Sequence, residues 1–488
     1  MDFREVLIGF ADWQGYGHGD RAAAWLRRLE VNRPEIEAFR DAPTPSCAAY
    51  VPRAAQVEAA DGEVANQSRL PADAGEALAR ARRHSSLNAF TWLPDTVASA
   101  GSGVLAGVPV AIKDLMNVSG MPLTGGSKAL GRDVATTDAA IVARLKRAGA
   151  VVVGLTNLHE LAYGVTSDNP HFGRVVNPVV PSCVPGGSSG GSAAAIAAGI
   201  VRLAIGTDTG GSIRIPAACC GVVGFKPSYD ALPRDGVLDL AHSLDHVGPL
   251  GRTVEDCAAM FAALLDLPAI PKWNRRNLSG VTVARLGGYF AAPLDGQVRD
   301  ALRAAMQALS ADGARCVERD VAGMELAAAI MLNTIAPEAS AFHADRVKAR
   351  GQDFGEDVRV RIETGFFFPV HWYLKAQRMR TKLVENIEAA FGDADMLICP
   401  TMRATAPQVG ASRVDIEGKS FALHTSMTNL TVPFNLSGLP AASIPWTASK
   451  DGAPISLQVV GRRGHDWRVL AMARRLELAS PWHQRQPR

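Results

Sequence analysis

Three short stretches of this 488-residue chain carry side chains suited to covalent chemistry. One reads Pro-Gly-Gly-Ser-Ser-Gly-Gly-Ser from Pro185 to Ser192, and a second reads Thr-Asp-Thr-Gly-Gly-Ser-Ile-Arg from Thr207 to Arg214. Their glycines let backbone N–H groups come close to a ligand and accept positive φ. Two serines, Ser188 and Ser212, are thus presented in glycine-rich turns, a layout for nucleophilic chemistry rather than for packing. The third stretch, Gly107-Val-Pro-Val-Ala-Ile-Lys-Asp, is a short apolar strand that ends in charge, which makes Lys113 conspicuous.

Commoner catalytic patterns do not fit these stretches. Gly186 to Gly190 formally matches the G-x-S-x-G nucleophile elbow, which needs a strand directly before its serine. Pro178, Pro181 and Pro185 argue against a strand there. The elbow would also leave Lys113 and the second Gly-Gly-Ser without a purpose. A phosphate loop is excluded because no Gly-Lys-Ser/Thr follows the glycines. His159-Glu160 opens like a zinc-protease helix, but Tyr163 stands where the second histidine belongs. That pair reads as helix surface or a local hydrogen bond.

The elements that must position these residues alternate along the chain. Ser192 to Ile200 is Ala-rich and reads as a helix, with Ser189 and Ser192 as entry residues. Val201 to Thr207 reads as a buried strand delivering the second turn. Helix is predicted at Glu76–His84, Ala139–Gly149 and Val298–Asp312, and strand at Asn88–Leu93, Ala150–Gly154, Val281–Leu286 and Asp395–Cys399. With no repeat period, the alternation makes the class α/β. Residues 1–41 look helical, with Trp25, Leu26 and Leu29 on one face; 42–75 reads as a surface-hugging linker. The division is therefore 1–75, a helical extension and linker, and 76–488, one large catalytic domain. Residues 322–391 read as largely helical, and their aromatic cluster, Phe366 to Phe368 with Trp372 and Tyr373, suits either a pocket wall or a helix-packing core.

Composition excludes several classes. A net charge of +3 without a basic block argues against nucleic acid and membrane surfaces. The seven cysteines are scattered and include no C-x-x-C pair, which disfavours a disulfide framework or a zinc site and fits a reducing cytoplasm. No signal peptide is visible before residue 11, and the apolar run from Ala193 to Val201 is far too short to span a bilayer.

Together the three stretches resemble the amidase signature family. Lys113 and Ser188 are 75 residues apart, Ser188 and Ser212 another 24, and both spacings agree with the family. Asn157-Leu-His-Glu-Leu-Ala-Tyr-Gly, Phe172-Gly-Arg-Val-Val-Asn-Pro, Ser243-Leu-Asp-His-Val-Gly-Pro and the run from Thr431 to Gly461 are similar to its flanking blocks. The resemblance spans roughly residues 76–480 and implies a central mixed β-sheet covered by helices on both faces. It further implies a Ser–cis-Ser–Lys triad, with Ser212 as nucleophile, Ser188 as bridge behind a cis Gly187–Ser188 peptide, and Lys113 as base. Lysine serves as a base only if burial destabilises its charged form. The backbone amides of Thr209, Gly210, Gly211 and Ser212 are implied as the oxyanion hole. Ser189, Asp208 and Arg214 match supporting positions, and Asp208–Arg214 reads as a structural ion pair.

The reaction implied is hydrolysis of a non-peptide carboxamide through a seryl acyl-enzyme, with no metal or organic cofactor. The substrate pocket is expected from the variable region after about residue 270. Arg361 resembles a position that grips a substrate carboxylate in some members. Two other substrate types are open: a urea-derived or lactam-type amide, and glutamine, as in the glutaminase subunit of tRNA-dependent amidotransferases. That subunit has an acidic residue where this chain has Thr428, so a stand-alone amidase on a small-molecule amide is the expectation, with a homodimer allowed. A non-catalytic relative would be expected to lack one of the three residues, and all are present. The 1–75 segment, which carries no family motif, is expected to stand outside the active site, its apolar stripe docking on the core or on a second subunit.

Overall fold

Short runs of β-branched and small apolar residues build one eleven-stranded mixed sheet. In chain order its strands are β1 (Phe90–Trp92), β2 (Pro109–Lys113), β3 (Val151–Thr156), β4 (Leu203–Asp208), β5 (Val223–Lys226), β6 (His246–Gly251), β7 (Thr282–Leu286), β8 (Arg315–Arg319), β9 (Met396–Pro400), β10 (Ala441–Ala448) and β11 (Pro454–Gly461). They lie side by side in the order β8-β7-β9-β11-β10-β5-β6-β4-β2-β3-β1. The computed structural model describes residues 21–58, 64–65, 73–98, 101–271 and 277–485, so the helix expected over residues 1–20 lies outside the described residues.

The period-2 geometry of the strands divides the interior into two cores. Val110 and Ile112 of β2, and Leu203 and Ile205 of β4, face the larger core. Ala111 and Ala204, between them, face the smaller one with Ala193 to Ile196. Strands covered on both faces need apolar residues throughout, which is why these segments read as continuous rather than alternating runs.

Helices supply both coverings. They are α1 (Arg21–Val31), α2 (Arg33–Asp41), α3 (Ala74–Arg83), α4 (Ala140–Arg147), α5 (Gly190–Ala197), α6 (Arg214–Cys220), α7 (Val254–Leu264), α8 (Gly296–Ala311), α9 (Ala327–Arg350), α10 (Glu356–Gly365), α11 (Val370–Phe391), α12 (Leu423–Thr428), α13 (Val432–Leu436), α14 (Asp466–Ala479) and α15 (Pro481–Arg485). No helix among the described residues is long and apolar enough to cross a membrane. The Ala-rich helix α5 begins at Gly190, two residues before its expected start, and Ser189 holds the N-cap position without a side-chain cap. The Ser189 Oγ donates instead to the Thr207 carbonyl at 3.3 Å.

The apolar stripe of α1 docks on the chain's own core. Trp25 is buried against Phe367, ring centroids 5.3 Å apart, and Leu26 and Leu29 pack in the same cluster. The Trp25 indole N–H donates to Glu363 Oε2 at 2.6 Å, and Arg21 pairs with the same carboxylate. Phe39 of α2 meets Trp372 at 5.8 Å, and Lys375 donates to the Phe39 carbonyl. The aromatic cluster of residues 366–373 therefore serves helix packing, the second of its two expected roles.

Candidate active site

Parallel pairing of β2 and β4 brings the third stretch, with Lys113, beside the start of the second, at Thr207. Lys113 ends β2 with no exposed surface, and its Nζ donates to Ser188 Oγ at 2.7 Å and to Thr207 Oγ1 at 2.8 Å. Burial lowers the lysine pKa from 10.5 to about 7, against the opposing fields of Asp208 and Asp245. An amine so placed has a substantial neutral fraction near pH 7 and can accept a proton. Thr207, its second partner, sits inside the run read as strand and was not singled out from sequence.

The two glycine-serine turns meet above β4. No strand runs directly into Ser188, so the elbow pattern fails on structure as well as on proline content. The Gly187–Ser188 peptide is cis. Ser189 N–H donates to the Ser212 carbonyl at 3.2 Å, joining one turn to the other. Gly186 has φ +75°, and a Cβ there would lie 2.7 Å from Pro216 Cα of α6. Only glycine lets the turns approach this closely. Ser188 is fully buried, whereas Ser212 borders an open cavity.

Behind the second turn, Asp208 and Arg214 form a fully buried ion pair, Nε to Oδ2 at 3.0 Å. Gln458 Oε1 and Asn435 Oδ1 accept from the guanidinium at 3.0 and 2.7 Å. Although burial opposes ionisation, Arg214, Lys226 and Asn435 hold the Asp208 carboxyl well below the usual carboxylate range. Asp208 Oδ1 also accepts the Gly211 N–H at 2.7 Å. That amide is committed to the carboxylate, so the expected oxyanion donors narrow to Thr209, Gly210 and Ser212. Thr209 is tied by its hydroxyl to Asp245 at 2.6 Å, and the Gly210 carbonyl accepts from Thr431 Oγ1 at 2.6 Å. Asp245, Thr431, Asn435 and Gln458 fall inside the flanking blocks, but their roles depend on long-range contacts that spacing does not display.

His159 and Glu160 are not helix surface. Glu160 is fully buried and accepts from Ser127 Oγ at 2.5 Å and from the Gly355 N–H at 2.8 Å, with His171 Nε2 at 2.9 Å. It clamps the loops beside α10, which is the local hydrogen-bonding alternative.

The cavity over Ser212 has a volume of about 780 Å³ including its open mouth. Thr209, Gly210 and Ser212 line it together with apolar Tyr163, Leu240, Met331, Leu332 and Ile335. Arg361 and Thr428 also reach it, the former held by Asp357 at 3.0 Å and lying 5.7 Å from the Tyr163 ring centroid. The lining is not confined to residues after 270, since Ala162 to Val165 and Leu240 contribute. Nor does the N-terminal segment stand outside. Arg28, Asn32 and Glu35 line the same cavity as Ser212, which overturns the expectation that residues 1–75 are remote from it. The docking of Trp25 and Phe39 carries them there, and local sequence offers no sign of it.

The amidase family profile matches residues 75–470. Among curated relatives, a glutamyl-tRNA(Gln) amidotransferase subunit of Cyanothece sp. (strain PCC 7425 / ATCC 29141) is 36% identical over 423 residues, covering 79% of this chain and 86% of that protein. The AtzE subunit of 1-carboxybiuret hydrolase from Pseudomonas sp. (strain ADP) is 38% identical over 372 residues, covering 73% and 80%. A crystal structure of an amidase superposes with a TM-score of 0.78 at 34% identity, covering 84% of this chain and 96% of the other. With the mixed sheet, the paired glycine-serine turns and this match over most of its length, the chain belongs to the amidase signature family.

Proposed function

We propose that this protein is an amidase that hydrolyses a linear small-molecule carboxamide to a carboxylate and ammonia or an amine. The reading is carried by the buried Lys113–Ser188 hydrogen bond of 2.7 Å, made by a lysine whose pKa is lowered to about 7. In this mechanism Ser212 Oγ attacks the amide carbonyl, and its proton passes through Ser188 to Lys113 Nζ. The amides of Thr209, Gly210 and Ser212 receive the developing negative charge. The relay returns the proton to the leaving nitrogen as the C–N bond breaks, and water then releases the acyl group by the same route. Ser188 suits the bridge because a hydroxyl donates and accepts at once. The free cysteines suit a cytoplasmic setting.

The direct test is labelling with a fluorophosphonate together with ammonia release from a panel of amides. Modification is expected on Ser212, with turnover abolished in Ser212→Ala and reduced by several orders of magnitude in Ser188→Ala. Modification of Ser188 instead would reverse the two roles.

A second reading, the glutaminase subunit of an amidotransferase, is favoured by the 36% identity to such a protein. Thr428, which lines the cavity where that subunit type is expected to carry an acid, weighs against it.

A further inference from the structure

A second, smaller cavity shares Ala162, Thr209 and Leu240 with the substrate cavity, and Thr207 and Asp245 line it as well. The antiparallel register of β4 and β6 pairs Thr207 with Val247 and Asp208 with His246. Alternation, continued one step past the ladder, puts Thr207, Thr209 and Asp245 on one face. All three are buried, and the cavity has room for about one water.

Two hydrogen-bonding positions at this cavity are left over. An ionised carboxylate offers about four lone-pair sites. On Asp245, Oδ1 accepts from Thr209 Oγ1 at 2.6 Å, and Oδ2 accepts from the Leu240 and Ala241 N–H groups at 2.8 and 3.0 Å. A site on Oδ1 remains. Burial raises this carboxyl to about 6, against the Thr209 and Leu240 hydrogen bonds, so it is largely ionised at neutral pH. Thr207 Oγ1 accepts from Lys113 Nζ at 2.8 Å, and its own hydroxyl hydrogen has no acceptor among the described residues. The direction of that bond matters to the base. For a neutral Lys113 to take the Ser188 proton, its lone pair must face Ser188, and Thr207 must accept an N–H. If Thr207 instead donates its hydroxyl to Nζ, the lone pair is occupied and Lys113 can only donate to Ser188. An acceptor elsewhere for the Thr207 hydroxyl removes that unproductive arrangement.

We infer that Asp245 is a positioning residue for the relay: a water in the second cavity accepts from the Thr207 hydroxyl and donates to Asp245 Oδ1, which turns the Thr207 oxygen toward an N–H of Lys113 and the lysine lone pair toward Ser188. The inference rests on the relay of the amidase reading and adds the part that sets its direction. Because the same Oδ1 holds the Thr209 hydroxyl, one carboxylate steadies both the base and a residue of the oxyanion turn.

The test combines a crystal structure of the full-length protein with inactivation by a fluorophosphonate, which needs an activated Ser212 but no particular amide. A water within hydrogen-bonding distance of Thr207 Oγ1 and Asp245 Oδ1 is expected, and a well-ordered cavity without one would overturn the inference. Thr207→Val should lower the limiting inactivation rate by about tenfold or more, with the half-saturating concentration little changed, and Thr207→Ser should recover most of the loss. In Asp245→Asn the Leu240 and Ala241 amides keep the one remaining oxygen, so an NH2 group meets the water and the rate should fall similarly. Since both changes break one chain, the double variant should lose clearly less than the product of the two single losses. Losses that multiply in full, in variants whose circular dichroism and melting midpoint show them folded, would overturn the positioning role. Coupled losses in a protein that turns over no amide would uphold the inference and remove the hydrolase reading, so the two failures are distinguishable.

Discussion

Burial suits Lys113, a common surface side chain, to the base role proposed for it. Its ordinary pKa would leave it almost wholly protonated at neutral pH, and the apolar end of β2 removes the water that stabilises that charge. Activity is therefore expected to rise with pH through about 7 and then level off, measured as kcat/KM across pH 5 to 10. Lys113→Arg keeps the charge without offering a neutral base and should be as inactive as Lys113→Ala. Substantial turnover by folded Lys113→Arg would leave the lysine only an electrostatic part. The same shift has a stability consequence. Because the folded pKa lies below the unfolded one, the unfolded chain binds more protons between about 7 and 10.5, and stability gains with pH there. The penalty is full below about pH 7 and vanishes above the unfolded pKa. Lowering the lysine from 10.5 to about 7 corresponds to about 5 kcal/mol at most. Lys113→Met should thus be more stable than wild type at low pH, by a margin that narrows toward pH 10 in denaturant titrations. The hydroxyls of Ser188 and Thr207, left without the amine, reduce that margin.

At the scale of elements, two contacts decide what the site can be. The first is the Asp208 network, which ties the end of β4 to α6, α13 and β11 through Arg214, Asn435 and Gln458. Asp208→Asn leaves a buried guanidinium short of its counter-charge and should cost about 3–5 kcal/mol in urea unfolding. Because the Gly211 amide also loses its anionic acceptor, phosphonate labelling of Ser212 should slow in parallel. An unchanged labelling rate would show that the turn keeps its shape without the carboxylate. The second contact is the docking of α1. Trp25→Ala removes the Phe367 packing and the Glu363 hydrogen bond, a loss of about 3 kcal/mol. Amide exchange in residues 21–41 is expected to accelerate while β2 and β4 stay protected. Retained protection over 21–41 would mean that α2 and Phe39 suffice to hold both helices.

The whole molecule is a wide mixed sheet in which most side-by-side strands are distant in sequence. β10 and β11, from the last fifty residues, sit at its centre beside β5, and β2 lies between β3 and β4. Core contacts thus join distant parts of the chain, and Lys113, Ser188 and Arg214 meet partners up to 244 residues away. As a whole the protein is expected to hydrolyse its amide with no second protein added. It is also expected to use glutamine poorly, because Thr428 supplies no counter-charge for an α-ammonium group. Ammonia release from glutamine that increases on adding a tRNA-binding partner would reverse that expectation and favour the amidotransferase reading.

The sequence by itself determined the family, the α/β class, and the grouping of Lys113, Ser188, Ser212, Asp208 and Arg214. These lie in stretches whose composition is dictated locally: glycines that a tight turn requires and an apolar strand that ends in a charge. Element positions were legible for the same reason, to within a residue or two, as at β2 and α8. Tertiary structure alone decided the rest. Gly211 gives its amide to Asp208, Thr207 shares Lys113 with Ser188, and Arg28 enters the cavity from a segment that carries no motif. Each of these is set by long-range packing; for Arg28 it is the docking of Trp25, in the middle of α1, that turns the next turn of the helix toward the cavity. Hydrophobic periodicity shows that such a helix has a buried face, but not which surface it will bury against.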